Sequence, residues 1–423
     1  MKMWYLLLIS FTLALCTTTA FGASVGGNEF VISFWCAPPN TEPMDARYKE
    51  VSQAGFNITM PPCGATTVKD NLAILDVCRK YGMKTIIGDD RIMAKEPSDP
   101  EFEKNLDAVI ADYAKHPAFY GYHLTDEPNA GAFPKLAAIN QYLLKKDPAH
   151  LPFINLLPTY GNGAMWGTPT YEEHVEQFMA AVKPKLLSYD HYALFEKQER
   201  GDYFQNMEII RAAALKYNNT PWMNIILATP HFGYRNPSEG DLRWQVYTTL
   251  AYGGTGIAYF TYWTLTGYEN FRNAIMEAGG KPTEHYEMVK KLNAEMKALA
   301  PILLKLKSVG VYHTGTLPTS TRALPETGTP VKSVEGAEII IGQFEGPKSS
   351  CWVMFTNRDM RKAADATITF AQANLVVKEV DKQTGKLVKI NVDSKAKPAI
   401  LKLKFEPGEG RLFFLIPTKQ EGK

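Results

Sequence analysis

Several things are scarce in this chain of 423 residues, and each shortage excludes a class of protein. Cysteine occurs five times, at Cys16, Cys36, Cys63, Cys78 and Cys351, with no spacing that fits a zinc site and too few residues for a disulfide framework. Charge of one sign is not in excess: 46 Lys and Arg stand against 44 Asp and Glu, a formal net charge of +2. That balance offers no electrostatic footing for nucleic acid or an anionic membrane surface. After residue 15 there is no apolar run long enough to span a bilayer, and neither low-complexity tracts nor simple repeats occur. What is present is the composition of a globular protein, 45% hydrophobic and 21% charged, somewhat rich in aromatics at 12%.

The N-terminus carries Lys2, an apolar stretch from Met3 to Leu15, and small residues around Gly22 and Ala23. That order describes a secretory leader over 1–23, so the mature chain is expected to be secreted or periplasmic with no integral membrane segment. The alternative is lipid anchoring at Cys16, because Leu13-Ala14-Leu15-Cys16 resembles a lipoprotein box; Leu15 stands where such a box needs a small residue. Of the remaining cysteines, Cys36 and Cys63 could meet if both lie at neighbouring strand ends. The favoured expectation is that all four are buried small hydrophobes.

From residue 28 to 265, short apolar β-rich runs alternate with helix-favouring stretches. The strand candidates are Phe30–Phe34, Asn57–Met60, Lys84–Ile87, Phe119–Leu124, Phe153–Leu157, Leu186–Tyr189, Met223–Ala228 and Gly256–Tyr262. Between them come segments such as Val68–Tyr81, Ala132–Lys146 and Tyr171–Val182, several closed by helix-stop signals such as Tyr81-Gly82. Near-continuous apolar strands alternating with helices imply a parallel sheet covered on both faces, and eight such units within about 240 residues predict an α/β fold of the (β/α)8 barrel type over 24–305. Beyond residue 305 helical periodicity gives way to short strands, with Asp381–Lys386 as a hairpin tip, so 306–423 is expected to form a smaller all-β sandwich packed tightly on the barrel.

In such a barrel the functional side chains sit at the C-terminal ends of the strands. Those ends carry Trp35, Asp89, His123, Asp126, Glu127, Tyr160, Asp190, His191, Tyr192, His231, Tyr262 and Trp263. Asp126-Glu127-Pro128 is the sharpest feature. Adjacent carboxylates raise one another's pKa, which yields a proton donor near neutral pH beside an ionised partner, the division of labour that glycosidic cleavage requires. The competing reading is a helix start capped by Asp126. Trp35, Tyr192 and Trp263 are candidates to stack on sugar rings, Asp89-Asp90-Arg91 to bind a terminal sugar through charge-assisted hydrogen bonds, and the histidines to bond hydroxyls. Of Tyr259, Phe260 and Tyr262, Phe260 is expected in the core and one tyrosine in the pocket. His123, His191 and Asp190 raise a metal-dependent hydrolase, but their spacing is not that of metal ligands, so neither a metal nor another cofactor is expected.

Three stretches carry a family resemblance. Gly121-Tyr122-His123-Leu124-Thr125-Asp126-Glu127-Pro128 resembles the fourth-strand signature of the clan A barrel glycoside hydrolases, in which Asn-Glu-Pro places the acid/base. Arg243–Tyr247 with Tyr252–Trp263 resembles β-galactosidase-like members, and Glu406–Phe413 is similar to the last strands of the sandwich that often follows such barrels. The resemblance implies that Glu127 is the general acid/base. Two departures stand out. Asp126 replaces the Asn, and the seventh-strand segment Ile226–His231 lacks the family's nucleophilic Glu. Asp190 can fill that gap, as can Glu239 or Glu269 from loops. A further alternative is the substrate-assisted chemistry of N-acetylhexosaminidases, in which Asp126 would orient a 2-acetamido group. The function expected is hydrolysis of O-glycosidic bonds in an oligo- or polysaccharide; the alternative from another class is a non-catalytic carbohydrate-binding barrel. The carboxyl separation of Glu127 and Asp190 should distinguish retaining from inverting outcomes; oligomeric state is not legible.

Overall fold

The computed structural model describes residues 29–418 except 65, 66, 268, 269 and 394–397. The expected leader, Cys16 and Glu269 therefore lie outside the described residues. Eight parallel strands form one sheet: β1 (Val31–Phe34), β2 (Ile58–Thr59), β3 (Lys84–Gly88), β4 (Phe119–Asp126), β5 (Leu151–Leu156), β6 (Leu187–Asp190), β7 (Trp222–Leu227) and β8 (Gly256–Phe260). From β2 onward each strand pairs with the next in sequence, and β8 pairs with β1. Between β1 and β2 the ring is completed differently. The Asn57 amide donates to the Phe30 carbonyl and accepts from the Ile32 amide, the Asn57 backbone N–H bonds the Ile32 carbonyl, and a bridge joins Ala37 to Pro62.

Around the ring lie α1 (Met44–Gln53), α2 (Val68–Lys80), α3 (Phe102–Tyr113), α4 (Phe133–Lys146), the single turn α5 (Gly163–Trp166), α6 (Tyr171–Val182), α7 (Tyr203–Lys216), α8 (Glu239–Ala251) and α9 (Glu284–Leu303). The period of two along each strand separates two cores. Val31, Tyr120, Phe153, Met223, Ile225 and Ala258 fill the barrel interior, while Phe34, Tyr122, Leu156, Tyr189, Ile257 and Tyr259 face the helices.

β4 breaks the regular count. It carries one extra residue against β3, between Phe119 and Gly121, and one against β5, between His123 and Thr125. Such bulges re-aim the side chains that follow. Gly121 is needed between them, since a Cβ there would stand 2.1 Å from the Leu151 carbonyl oxygen.

The C-terminal part is a two-sheet sandwich of β9 (Lys307–His313), β10 (Val331–Glu335), β11 (Ile339–Gly346), β12 (Ser350–Asn357), β13 (Ala364–Phe370), β14 (Leu375–Val380), β15 (Leu387–Ile390), β16 (Ile400–Phe405) and β17 (Gly410–Pro417). One sheet runs β10-β13-β16 and the other β15-β14-β17-β12-β11-β9. β10 was not legible in the sequence; its Val-Lys-Ser-Val-Glu pattern is largely solvent-facing and it lies at a sheet edge. Ile339, Ile341, Val353, Phe355, Phe413 and Leu415 point into the sandwich, whereas the alternate residues Ile340, Met354 and Leu412 join the core of the barrel. α8 is the shared element, with every residue from Gly240 to Ala251 buried except Arg243.

One expectation is corrected here. Cys36 and Cys63 are not separate buried hydrophobes but form a disulfide, with Cα atoms 4.8 Å apart. It staples the β1–β2 seam next to the Ala37–Pro62 bridge, where the ladder is thinnest. Cys78 is buried and free, and Cys351 is free and half-buried. A Cys36→Ser/Cys63→Ser double variant should lose about 3 kcal/mol of stability. Thermal melts should then show reductant lowering the wild-type transition while leaving the variant's unchanged.

Candidate active site

The site lies where β4, β5 and β6 end, and it is built around a residue that sequence reasoning passed over. Asn155 points into the barrel near the end of β5. Its side-chain amide donates to Asp190 Oδ1 at 2.8 Å and to Asp126 Oδ1 at 3.1 Å, and Ser188 Oγ donates to its Oδ1 at 3.0 Å. Its backbone carbonyl accepts from the Glu127 amide at 2.9 Å. All four polar groups of Asn155 named here are thus engaged in holding β4 and β6 in register at the mouth. Glu127 itself has a φ of 46°, in the left-handed region that a non-glycine residue enters at a cost. Strand ends that force such a backbone are where functional side chains cluster.

The carboxyl groups of Glu127 and Asp190 lie close enough to perturb one another's ionisation, and their mutual repulsion favours one proton held by the pair. Asp190 is almost fully buried, 3% exposed. Burial, followed by the charges of Glu127 and Asp126, pushes its carboxyl well above the usual range. Solvent reaches Asp126 and Glu127, yet the walls of the mouth strip enough water from both to raise them, Glu127 further through the neighbouring Asp126 charge; the Asn155 amide opposes the rise at Asp126. The pair titrates as a unit, and its shared proton is best housed on the more buried Asp190. Asp126 does not cap a helix. A short turn begins at Asn129, whose side chain accepts from the Gly131 amide, and α4 starts only at Phe133.

Tyr160 lies against this cluster, its hydroxyl directed at Asp190 Oδ2 at 3.5 Å. Its ring is covered by the Arg200 guanidinium at 3.9 Å, and Arg200 also bonds the Tyr192 carbonyl and the Tyr234 hydroxyl. Beside the carboxylates, towards the ends of β1 to β4, opens a cleft of about 440 Å³ whose lining includes Trp35, Met60, Asp90, His123 and the Cys36–Cys63 bridge. His123 stands edge-on to Trp35 at 5.5 Å. Its Nε2 is buried without a partner, and burial lowers its pKa to about 4, so a neutral imidazole faces incoming hydroxyls.

Other expected contacts are not made. Asp89 lines the cleft, but both its oxygens are spent: Arg91 binds it through the backbone amide, Nε and Nη2, and the Tyr113 hydroxyl donates to it at 2.8 Å. Asp90, read from the sequence together with Asp89 and Arg91 as a sugar-binding group, is exposed at the same cleft. His191 is fully buried behind Tyr160, paired with Asp202 at 3.2 Å. His123 and His191 thus occupy separate surroundings and do not converge on one ion. Tyr262 is buried between Phe34 and Phe56 on the helix side, and Tyr259 bonds Asn293 of α9. Phe260, expected in the core, instead faces the mouth at 5.1 Å from Tyr192. The parity of β8 explains the exchange: Ala258 and Phe260 point inward, and the strand ends before Tyr262. Trp263 is 6% exposed and packs in the outer core. His231 is 5% exposed, with Nδ1 on the Thr229 carbonyl and its ring stacked on Phe271. Glu239 opens α8 and is paired with Arg243 and Lys291, each at 2.8 Å, so it is not a carboxylate of the mouth.

Asp190 has a consequence for stability. The folded protein holds its proton more tightly than the unfolded chain, so ionising it costs stability as pH rises above the ordinary value of 3.8, and nothing where both states are protonated. Asp190→Asn should therefore be more stable than wild type by about 1–2 kcal/mol at neutral pH. Thermal melts across pH should show this advantage shrinking towards pH ~4; an advantage independent of pH would refute the assignment.

Comparison with known proteins gives a consistent picture. The β-galactosidase model of glycoside hydrolase family 42 matches residues 160–299, which include Asp190 but not Asp126 or Glu127. No curated protein matches. Among solved structures, a glycoside hydrolase family 5 protein from Bacteroides vulgatus is similar with a TM-score of 0.58 at 12% identity, over 92% of this chain and 89% of that one. A catalytic mutant of a GH42 β-galactosidase from G. stearothermophilus gives a TM-score of 0.55 at 9% identity, over 93% and 99%. A β-galactosidase from the psychrophilic Marinomonas ef1 gives 0.47 at 11% identity, over 64% of this chain and only 60% of that one. By sequence over the second half of its barrel, and by fold over nearly its whole length, the chain resembles the (β/α)8-barrel glycoside hydrolases that carry a C-terminal β domain.

Proposed function

We propose that this protein hydrolyses O-glycosidic bonds of a carbohydrate, with Glu127 as general acid/base and Asp190 as the second carboxylate. The observation that carries this reading is the convergence of Glu127 and Asp190 at the ends of β4 and β6, where Asn155 bonds the Asp190 carboxylate and the Glu127 backbone and each acid perturbs the other's ionisation. Asp190 takes the place of the seventh-strand Glu that the sequence lacks.

The reaction follows from the shared proton. When the glycosidic oxygen enters the mouth, the proton passes to Glu127, the member open to solvent, and leaves Asp190 ionised. Glu127 protonates the departing oxygen as the anomeric C–O bond breaks, and an Asp190 oxygen bonds the anomeric carbon. Glu127, now a carboxylate, takes a proton from water, whose oxygen attacks the same carbon and releases Asp190. Tyr160 steadies Asp190 through its hydroxyl, and Asp126 keeps negative charge beside the developing oxocarbenium.

The Cys36–Cys63 disulfide fits an oxidising compartment, which supports export through the expected leader. The names of the relatives make β-galactosides the first substrates to try. Wild type and Glu127→Gln should be assayed on aryl β-glycosides with and without a 2-acetamido group. Activity on plain glycosides that falls about 10²–10⁴-fold in the variant is the expected result. Activity confined to 2-acetamido sugars would move the second role from Asp190 to Asp126. Undiminished turnover by Glu127→Gln would defeat the assignment, and glycan binding without turnover by either protein would leave the barrel a binding module.

A further inference from the structure

We infer that Tyr192, Phe260, Phe271 and Phe232 form an aromatic ramp that holds the part of an oligosaccharide lying beyond the reacting bond, with Phe232 as its outermost platform. The inference rests on the glycosidase reading and adds to it where the chain runs. The ramp begins at Tyr192, close enough to Asp190, Asp126 and Glu127 for their charges to act on its hydroxyl. Phe260 stands 5.1 Å from the Tyr192 ring and His231 5.8 Å. Phe271 stacks on His231 at 4.6 Å, and Phe232 meets Phe271 edge-on at 5.5 Å. The row thus runs from the carboxylates to solvent along the ends of β6 to β8, with His231, 5% exposed, as its buried backing and Phe260, Phe271 and Phe232 as its outer rings.

Phe232 is 63% exposed, and it is the only aromatic among the large hydrophobic side chains that stand exposed in the described residues. Its backbone has a φ of 41°, a conformation that favours glycine. A phenylalanine held in strained backbone and turned to water contributes little to the core, and strain of this kind concentrates at functional sites. A pyranose ring suits such a surface, since it presents a flat C–H face to an aromatic ring and its hydroxyls to solvent. A second copy of the chain suits it less well, because one exposed ring is far short of the roughly 1,000 Å² that a stable protein interface needs. With a cleft on one side of the carboxylates and the ramp on the other, the scissile bond would lie between two bound segments.

The test uses the full-length protein and β-linked galacto-, gluco- and manno-oligosaccharides of increasing length, beside the matching aryl monoglycosides. Phe232→Ala should lower kcat/KM on the longer oligosaccharides by about 3–10-fold, the scale of one aromatic contact, and leave the aryl monoglycoside within about 2-fold. Phe232→Tyr should behave as wild type. Calorimetric binding to Glu127→Gln provides a second readout that does not depend on turnover: affinity should rise with chain length, and Phe232→Ala in that background should remove the rise. Should Glu127→Gln remain active, the acid/base assignment fails while the binding arm still decides the platform. Equal losses on long and short substrates, affinity indifferent to length, or an effect of Phe232→Ala confined to oligomeric state in light scattering would overturn the inference.

Discussion

Everything at the mouth depends on one amide shared between two acids. Three carboxylates crowded at the ends of neighbouring strands repel one another, and left alone they would splay towards water. Asn155 opposes this by giving one N–H to Asp190 and the other to Asp126, while its backbone oxygen fixes the peptide that carries Glu127. Because Asn155 cannot ionise, it holds both acids without neutralising either. The remaining electrostatic conflict is settled by a proton between Glu127 and Asp190. The site is therefore charged and poised before any substrate arrives.

The barrel supplies the rigidity that this arrangement needs. Inward positions on β5 and β6 alternate, so Ser188, the register partner of Asn155, lies two residues before Asp190, and Asn155 bonds both side chains. β4 departs from that regularity twice, and the bulges turn its end so that His123 faces Trp35 and Glu127 follows Asp126 into the opening. Around the rim, each wall has a distinct chemistry: apolar and acidic by β1 to β4, carboxylate in the middle, aromatic by β6 to β8.

The order of eight strands was readable because each is a short apolar run between helical segments, and that pattern survives without knowledge of contacts. The strand ends were readable for the same reason, which is how Glu127, Asp126, Asp190 and Tyr160 came to be singled out together. Asn155 was missed although a signal existed: it interrupts the apolar run Phe153-Ile154-Asn155-Leu156 at an inward position. Asn224 interrupts Met223-Asn224-Ile225 in the same way but points outward, to Thr249 of α8. Only the parity of the strand separates the two. Parity also misplaced Tyr262 and Phe260, because the inward direction of β8 is set by its neighbours and not by its own composition. Asp89 looked available because Arg91 and Tyr113, which saturate it, come from a turn and a helix whose approach no local pattern records. The disulfide was under-weighted for a similar reason, since Cys36 and Cys63 meet only once the ring closes.

α8 has a consequence that reaches beyond the site. A helix normally keeps a polar face for water, but this one is buried on nearly every side between β7 and the six-stranded sheet, so close that a Cβ on Gly342 would stand 2.1 Å from the Ala251 carbonyl oxygen. Barrel and sandwich residues accordingly belong to a single hydrophobic cluster. The two parts are not modules that evolution or an engineer could exchange at the short connection near residue 305. A barrel released from its partner would expose Tyr247, Leu250 and Ala251 to solvent, so any ancestor lacking the sandwich must have carried a differently written eighth helix.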